Sequence, residues 1–354
     1  MLLIGCDQLG QALPNACSRL YTLHDTPSDI GHLVMVTEGT TSFFSIKNIF
    51  ETLINDVLRG YNKLLKQSGH SVSQVLIFKL IQGFQTGSRL LKDVLFVLTS
   101  FLSSHIGCQM ASSCFASQNF HPQDIEGVHK FLLLGTGSDV TSGKLKLVGF
   151  YLKLGYPAQA EAMLSAVEQE FVPHVCEVCT QDLRGGYLGH VTMGKILSEN
   201  FTTSQIFKTC IAASVAYLPS EIHTTLPPLC YEMFRSAGAH PALRDPDEHY
   251  WYDWAVVDAR PYLYFLQYQT YSALGMDRQR LVSLENLAWS RNHEKTTFHD
   301  TCLNLLAYCL RQESDLEQAL RALSKSLQIK PEDNAAVWQI CDMFSQLHFY
   351  SMLQ

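Results

Sequence analysis

Residues 300–331 constrain the fold more than any other part of this 354-residue chain, because they carry a complete helix–turn–helix pattern. The apolar positions are Leu303, Leu306, Ala307 and Leu310 before a short polar turn, and Leu316, Ala319, Leu320, Leu323 and Leu327 after it. Their three- and four-residue spacing predicts one apolar stripe on each of two helices. Asp315, followed three residues later by Gln318, predicts the cap of the second helix, and Pro331 predicts its end. The segment therefore predicts an antiparallel helix hairpin.

The hairpin resembles the 34-residue tetratricopeptide repeat. The matching places are Leu303 and Leu306 (large apolar), Ala307 and Ala319 (small), Leu323 (aromatic or large) and Pro331 (terminal proline). Small side chains are needed where two helices cross closely, because larger ones would push the pair apart. We expect Ala307 and Ala319 to lie at that crossing.

Two degenerate units precede this hairpin, at Leu145–Glu168 and at Pro261–Trp289, where Gly275 predicts the turn. A long insertion, about 171–260, separates them, and a half-unit at 335–353 predicts a closing helix. The sequence therefore predicts an all-α fold of antiparallel helix hairpins, stacked as a degenerate tetratricopeptide-like solenoid over residues 128–354.

Residues 1–127 predict a separate helical region. Its first 40 or so residues are poorly patterned, and apolar periodicity begins after Thr41 and Ser42. Two further helices are expected at Val72–Phe84 and Arg89–Ser104, and a polar loop, Ser117–Gly127, is expected to end the region.

Composition favours a protein partner over a nucleic acid. Apolar residues make up 47% of the chain and charged residues 17%, which indicates extensive helix–helix burial or a buried partner surface. The net charge is −7, and the 26 basic residues are scattered among 33 acidic ones. Phosphate recognition needs clustered Lys and Arg, so no nucleic-acid binding is predicted.

Cysteine usage and hydropathy indicate a cytoplasmic protein without a membrane contact. The eleven cysteines are odd in number and lack the spacing of a disulfide framework, which favours a reducing compartment. The N-terminus has no basic region before its apolar run, so no signal peptide is predicted. The most membrane-like stretch, Val94–Cys108, is too short and too polar to span a bilayer.

Two stretches carry a resemblance to a known family. Leu226–Arg235 (LPPLCYEMFR) and Trp251–Leu266 (WYDWAVVDARPYLYFL) resemble segments of large invertebrate proteins of the male-abnormal type, and Gly137–Leu147 is similar to the start of their helical extension. That family belongs to the cyclic-GMP-AMP-synthase-like nucleotidyltransferase superfamily. The resemblance implies a helical extension without the nucleotidyltransferase domain, since Gly137, Ser138 and Asp139 are followed by no acidic strand pair.

Three further motifs are compatible with ligand binding or with a purely structural role. His174, Cys176, Cys179 and His190 have a zinc-like spacing, but buried thiols on one helix face are the alternative, because a second Cys-x-x-Cys is missing. The acidic residues Asp245, Asp247 and Glu248 indicate either a metal site or a solvated loop. The glycines Gly185, Gly186 and Gly189 could form a phosphate loop, but no Gly-Lys-Ser/Thr sequence follows and no strand precedes them, so a flexible turn is predicted. No catalytic motif is present, so neither a cofactor nor an enzymatic activity is predicted.

The candidate partner-binding residues lie on two helices. The inner face of the best hairpin gives Thr301, Asn304, Tyr308, Arg311 and Gln312, and an aromatic helix adds Tyr264, Tyr268 and Tyr271. Polar groups of this kind suit an extended peptide, and aromatic rings are typical interface anchors. The alternatives are a solvated face for the first set and helix packing for the second. The leading hypothesis is a non-catalytic scaffold or adaptor module; a regulatory or remnant extension of a nucleotidyltransferase-superfamily protein, in innate immune signalling by analogy, is the alternative.

Overall fold

The computed structural model describes residues 57–62, 89–117, 121–179, 195, 199, 201, 203–237, 251–290 and 296–352. These residues are mostly helical, as predicted. The helices are α1 (Arg89–Ser117), α2 (Pro122–Gly135), α3 (Ser142–Lys153), α4 (Pro157–Glu170), α5 (Thr203–Cys210), α6 (Pro227–Glu232), α7 (Ala259–Leu274), α8 (Asp277–Ser290), α9 (His299–Gln312), α10 (Leu316–Ile329) and α11 (Ala336–Met352). The strands are β1 (Cys176–Val178), β2 (Ile211–Ala213), β3 (Val215–Tyr217) and β4 (Ala255–Val257).

Helices that follow one another along the chain pack together. Helices α3 and α4 pack together and both contact α7, the α7–α8 hairpin contacts α9, and the α9–α10 hairpin contacts α11. The predicted turn chemistry is present: Gly275 adopts a left-handed φ of 69° after α7, and Asp315 accepts a hydrogen bond from the Gln318 backbone N–H at 3.1 Å. Ala307 of α9 and Ala319 of α10 are buried in the same apolar cluster. These are the two positions at which the repeat pattern predicted small side chains.

The insertion departs from an all-α fold. Strands β1 and β2 pair in parallel and β3 and β4 pair antiparallel, so two small sheets lie where only helices were expected. Each strand has three residues, which is shorter than the runs of four to eight that alternate visibly in sequence. Their extent matches the predicted insertion, since α4 ends at Glu170 and α7 begins at Ala259.

The insertion lies against the first helix of successive hairpins. Strand β3 contacts α3, β4 and α6 contact α9, and α6 also contacts α11. The chain's own residues therefore cover part of α9 and part of α11.

The predicted boundary between the two regions does not coincide with a linker. Residue 127 lies within α2, because helix formation resumes at Pro122, a favourable first helical residue, and continues to Gly135. Helix α1 continues to Ser117 rather than ending at Ser104, and packs against α2 and α3. Cys108 and Ala111 of α1 belong to the same apolar core as Leu145, Tyr262 and Leu306. Of the two other helices predicted in the first region, only Val57–Asn62 is among the described residues.

Two general features complete the fold. Within the described ranges, no helix is long and apolar enough to cross a membrane. No disulfide joins two of the described cysteines.

Candidate functional site

Two of the residues predicted to line a groove are interior residues. Thr301 is fully buried and Asn304 is 1% exposed, so neither can contact a partner in this conformation. Periodicity placed them opposite the leucine face of α9, but part of that opposite face is covered, since Asn304 hydrogen-bonds to Glu232 of α6. The prediction of an open inner face at these two positions is wrong.

The three predicted tyrosines of α7 do not share a solvent-facing side. Tyr268 is 1% exposed, and its hydroxyl donates to Glu313 Oε1 at 2.6 Å. Tyr264 and Tyr271 are half-buried, and Tyr271 lies near Glu168 and Glu161 of α4, while burial raises its pKa. Helix α7 has neighbours on several sides, namely α3, α4, α8 and α9. For Tyr268, the alternative interpretation given above, a role in helix packing, is therefore the one that fits.

A buried polar cluster holds α6 against α9 and α11. Asn304 Nδ2 donates to Glu232 Oε1 at 2.9 Å and to Asn334 Oδ1 at 3.2 Å, and Gln339 Nε2 donates to the Asn304 carbonyl oxygen at 3.2 Å. Arg235 Nη1 lies 3.6 Å from Glu232 Oε2. Burial, and then the nearby carboxylate of Asp300, raises the pKa of Glu232 to about 7. The cluster is a structural junction between the insertion and the array.

The remaining predicted residues of α9 do reach the surface. Tyr308 and Arg311 are half-buried and Gln312 is exposed. Arg311 Nη2 pairs with Asp342 Oδ2 of α11 at 2.7 Å. The hydroxyl of Tyr231, from α6, donates a hydrogen bond to the same carboxylate.

Aromatic side chains continue this surface along α11 and just beyond the end of α6. Trp338 Nε1 donates to the Phe234 carbonyl oxygen at 2.8 Å, yet Trp338 is 39% exposed and Phe234 is 49% exposed. Trp338 and Asp342 are four residues apart on α11, a spacing that places both side chains on the same face of the helix. We call the resulting surface the α6–α11 edge, formed by Tyr231, Phe234, Tyr308, Arg311, Trp338 and Asp342.

Sequence analysis missed the α6 and α11 members of this edge. Tyr231 and Phe234 lie within the LPPLCYEMFR stretch that was quoted for its resemblance, and Trp338 lies in the predicted closing helix. Contacts between segments more than 100 residues apart, such as that of Trp338 with Phe234, place them at the surface.

A second charged cluster is fully buried where α1, α3 and the turn after β3 meet. Glu221 Oε1 lies 2.8 Å from His105 Nδ1, and Glu221 Oε2 lies 3.2 Å from Lys146 Nζ. The Leu218 backbone N–H donates to Glu221 Oε2 at 2.8 Å. Burial alone would raise the pKa of Glu221, but His105 and Lys146 lower it below its ordinary value. Desolvation lowers the pKa of His105.

This cluster is suited to holding elements together. The three side chains are at most 2% exposed, so a substrate has no direct contact with them. Lys146 Nζ lies 4.8 Å from the centre of the Tyr217 ring, and the hydroxyls of Tyr217 and Tyr262 are 2.9 Å apart. In a buried ion pair, removal of one partner is costly because it leaves the other charge in the interior uncompensated.

Asp139, in the stretch that resembles the start of a helical extension, also has a structural role. Its Oδ2 accepts from the backbone N–H groups of Thr141 at 3.1 Å, Ser142 at 2.9 Å and Ala213 at 2.9 Å. Its Oδ1 accepts from the Ser138 hydroxyl at 2.7 Å and from the Ser142 hydroxyl. The carboxylate thereby joins the start of α3 to β2, and its lone pairs are engaged.

The zinc candidates are only partly described. Cys176 lies on β1 and Cys179 just after it, both buried, and His174 precedes them; His190 lies outside the described residues. Among the residues that the structure describes, no group of three or more His, Cys, Asp or Glu could hold a metal ion. The other candidates, Asp245, Asp247 and Glu248 and the glycines at 185, 186 and 189, also lie outside the described ranges.

Comparison with known proteins finds no matching family model, no similar curated protein and no similar solved structure. The resemblance to male-abnormal-type proteins stays a prediction.

Proposed function

We propose that this chain is a non-catalytic protein-interaction module that binds a protein or peptide partner through the α6–α11 edge. The observation that carries the proposal is the concentration of exposed Trp and Phe rings and partly buried Tyr and Arg side chains at this one edge. Trp, Tyr and Arg are enriched among the few residues that supply most of the binding energy of protein interfaces.

The chemistry of the edge favours a partner with both apolar and polar groups. Trp338 and Phe234 supply exposed rings, while Arg311 and Asp342 supply opposite charges beside two tyrosine hydroxyls. The polar groups already pair with each other, so they would fix the orientation of a partner rather than supply most of the affinity.

The architecture that we propose is a tetratricopeptide-like solenoid modified by its insertion. The consecutive packing of α3–α4, α7–α8, α9–α10 and α11 supports that arrangement. In the modified array, the partner surface lies beside the insertion and includes residues from it. The described cysteines that are buried act as small apolar side chains. This role fits a reducing, cytoplasmic setting.

Affinity purification with quantitative mass spectrometry tests the proposal on the full chain. Tyr231→Ala/Trp338→Ala should reduce recovery of the specific partner at least about tenfold, as loss of two interface anchors does. Tyr156→Ala, at the 48% exposed tyrosine of the α3–α4 turn, is the matched control and should recover the partner normally. Equal recovery with the wild type and the double variant, both folded by circular dichroism, would remove the edge from consideration.

A further inference from the structure

Helix α8 carries an exposed apolar stripe. Leu281, Val282 and Trp289 are 46%, 48% and 60% exposed. At 3.6 residues per turn they lie within about 100° of arc. Clustered large apolar side chains of this kind mark interaction surfaces more often than isolated ones do.

Two opposite charges lie on the same stripe. Arg278 and Glu285 fall within the same arc as the apolar residues, and both are exposed. Neither forms an ion pair with another residue that the structure describes, whereas the neighbouring Arg280 pairs with Asp277 and Glu313. Between positions 278 and 285, on the N-terminal side of Trp289, the stripe therefore has the order Arg, Leu, Val, Glu along one face, and neither charge is paired with a described residue.

This order is self-complementary when the helix is reversed. A twofold axis placed between Leu281 and Val282 has Arg278 and Glu285 at equal distances on either side, each about 5 Å from the axis at a rise of 1.5 Å per residue. Two antiparallel copies of α8 would place Arg278 of each copy opposite Glu285 of the other. Leu281 of each copy would lie opposite Val282 of the other.

We propose that the α8 stripe is a self-association surface, which binds the same stripe on a second copy of this chain in an antiparallel, twofold-symmetric dimer. A twofold interface must be complementary to itself, and the charge order of this stripe has that property. A partner of a different kind would require no such symmetry. The surface is separate from the α6–α11 edge, so it is independent of the function proposed above.

Charge reversal tests the pairing. Arg278→Glu would place two carboxylates opposite each other in both pairs, and Glu285→Arg would place two guanidinium groups opposite each other, so each variant should repel a second copy of itself. Sedimentation equilibrium of the full chain, from low micromolar to about 1 mM, should show a concentration-dependent dimer for the wild type and at least about tenfold weaker dimerisation for each variant. Lys325→Glu, at an exposed position on α10, carries the same charge change as Arg278→Glu and should dimerise like the wild type.

An equimolar mixture of the two variants provides the decisive measurement. One copy then carries only acidic side chains at positions 278 and 285 and the other only basic ones, so both cross-pairs become attractive and a heterodimer should form. Restored dimerisation in the mixture supports the antiparallel register. A wild type that stays monomeric throughout the concentration series, variants that dimerise normally, or a mixture that stays monomeric would each overturn the proposal.

Discussion

Asn304 and Glu232 meet in the interior of the protein, with the Asn304 Nδ2 donating to Glu232 Oε1 at 2.9 Å. Both residues are at most 1% exposed. The contact joins the best-matched hairpin to the insertion, and it explains why the inner face of α9 is not open at Asn304. At that position the insertion fills the space that a partner was expected to occupy.

Loss of this contact should lower the free energy of unfolding rather than the affinity for a partner. Asn304→Ala removes the donor and leaves a buried carboxylate oxygen without its partner, which costs about 1–3 kcal/mol of unfolding free energy. Urea denaturation followed by circular dichroism measures the change. Gln312→Ala, at an exposed position on the same helix, should change stability by less than about 0.5 kcal/mol. Equal stabilities of the two variants would contradict the role assigned to Asn304.

The pair of Lys146 and Glu221 should behave as a buried ion pair. Lys146→Met leaves a buried carboxylate without its cation and should destabilise the protein by about 3–5 kcal/mol. Lys146→Met/Glu221→Met removes both charges and should be less destabilising than Lys146→Met alone. Chemical denaturation of the variants checks this order. If the losses in unfolding free energy simply add in the double variant, the two charges do not compensate each other.

Asp258 should make stability depend on pH. Burial raises the pKa of this carboxyl to about 7 from an ordinary value of 3.8, although the backbone N–H groups of Phe298 and Thr297 oppose the shift. Because the pKa in the folded state is raised, the contribution of Asp258 to stability is fully present below about pH 4 and is lost as the pH rises through about 7.

Asp258→Asn should therefore flatten the decline in stability between about pH 4 and about pH 8. An amide oxygen can still accept hydrogen bonds from the Thr297 and Phe298 N–H groups, while the cost of a buried charge disappears. We expect a gain on the order of 2 kcal/mol at about pH 8, and little gain at about pH 4. Denaturation curves across this range measure the effect. A variant whose stability parallels the wild type at every pH would assign the dependence to other groups.

Gly143 should not tolerate a side chain. A Cβ at this position would lie 2.1 Å from the carbonyl oxygen of Gly135, which is backbone and cannot move aside cheaply. Gly143→Ala should therefore lower the unfolding free energy by about 3 kcal/mol. Gly127→Ala is the matched control, because its Cβ would approach nothing closer than Met110 Cε at 3.8 Å. That variant should gain about 1 kcal/mol from helix propensity. Thermal unfolding of both proteins compares them.

Local signals predicted the helices of the array well. Apolar spacing located α3, α4 and α7 to α11, and Gly275, Asp315 and Pro331 predicted their ends, because capping and periodicity depend on residues within a few positions. The strands were missed because three residues are too few to alternate recognisably. The burial of Thr301 and Asn304 was missed because Glu232, the residue that contacts Asn304, lies 72 positions away. Periodicity indicates which residues share a face, but only tertiary packing decides whether that face meets water.

The contacts of the insertion have a consequence for how the molecule unfolds. Simple repeat arrays contact only their neighbours and can lose structure one unit at a time from either end. Here His105 meets Glu221 across 116 positions, and Trp338 meets Phe234 across 104. These long-range contacts connect elements that belong to different hairpins, so local unfolding of one hairpin destabilises the others. The chain should lose its structure in one cooperative transition, and its refolding should be slow because distant segments must first find each other.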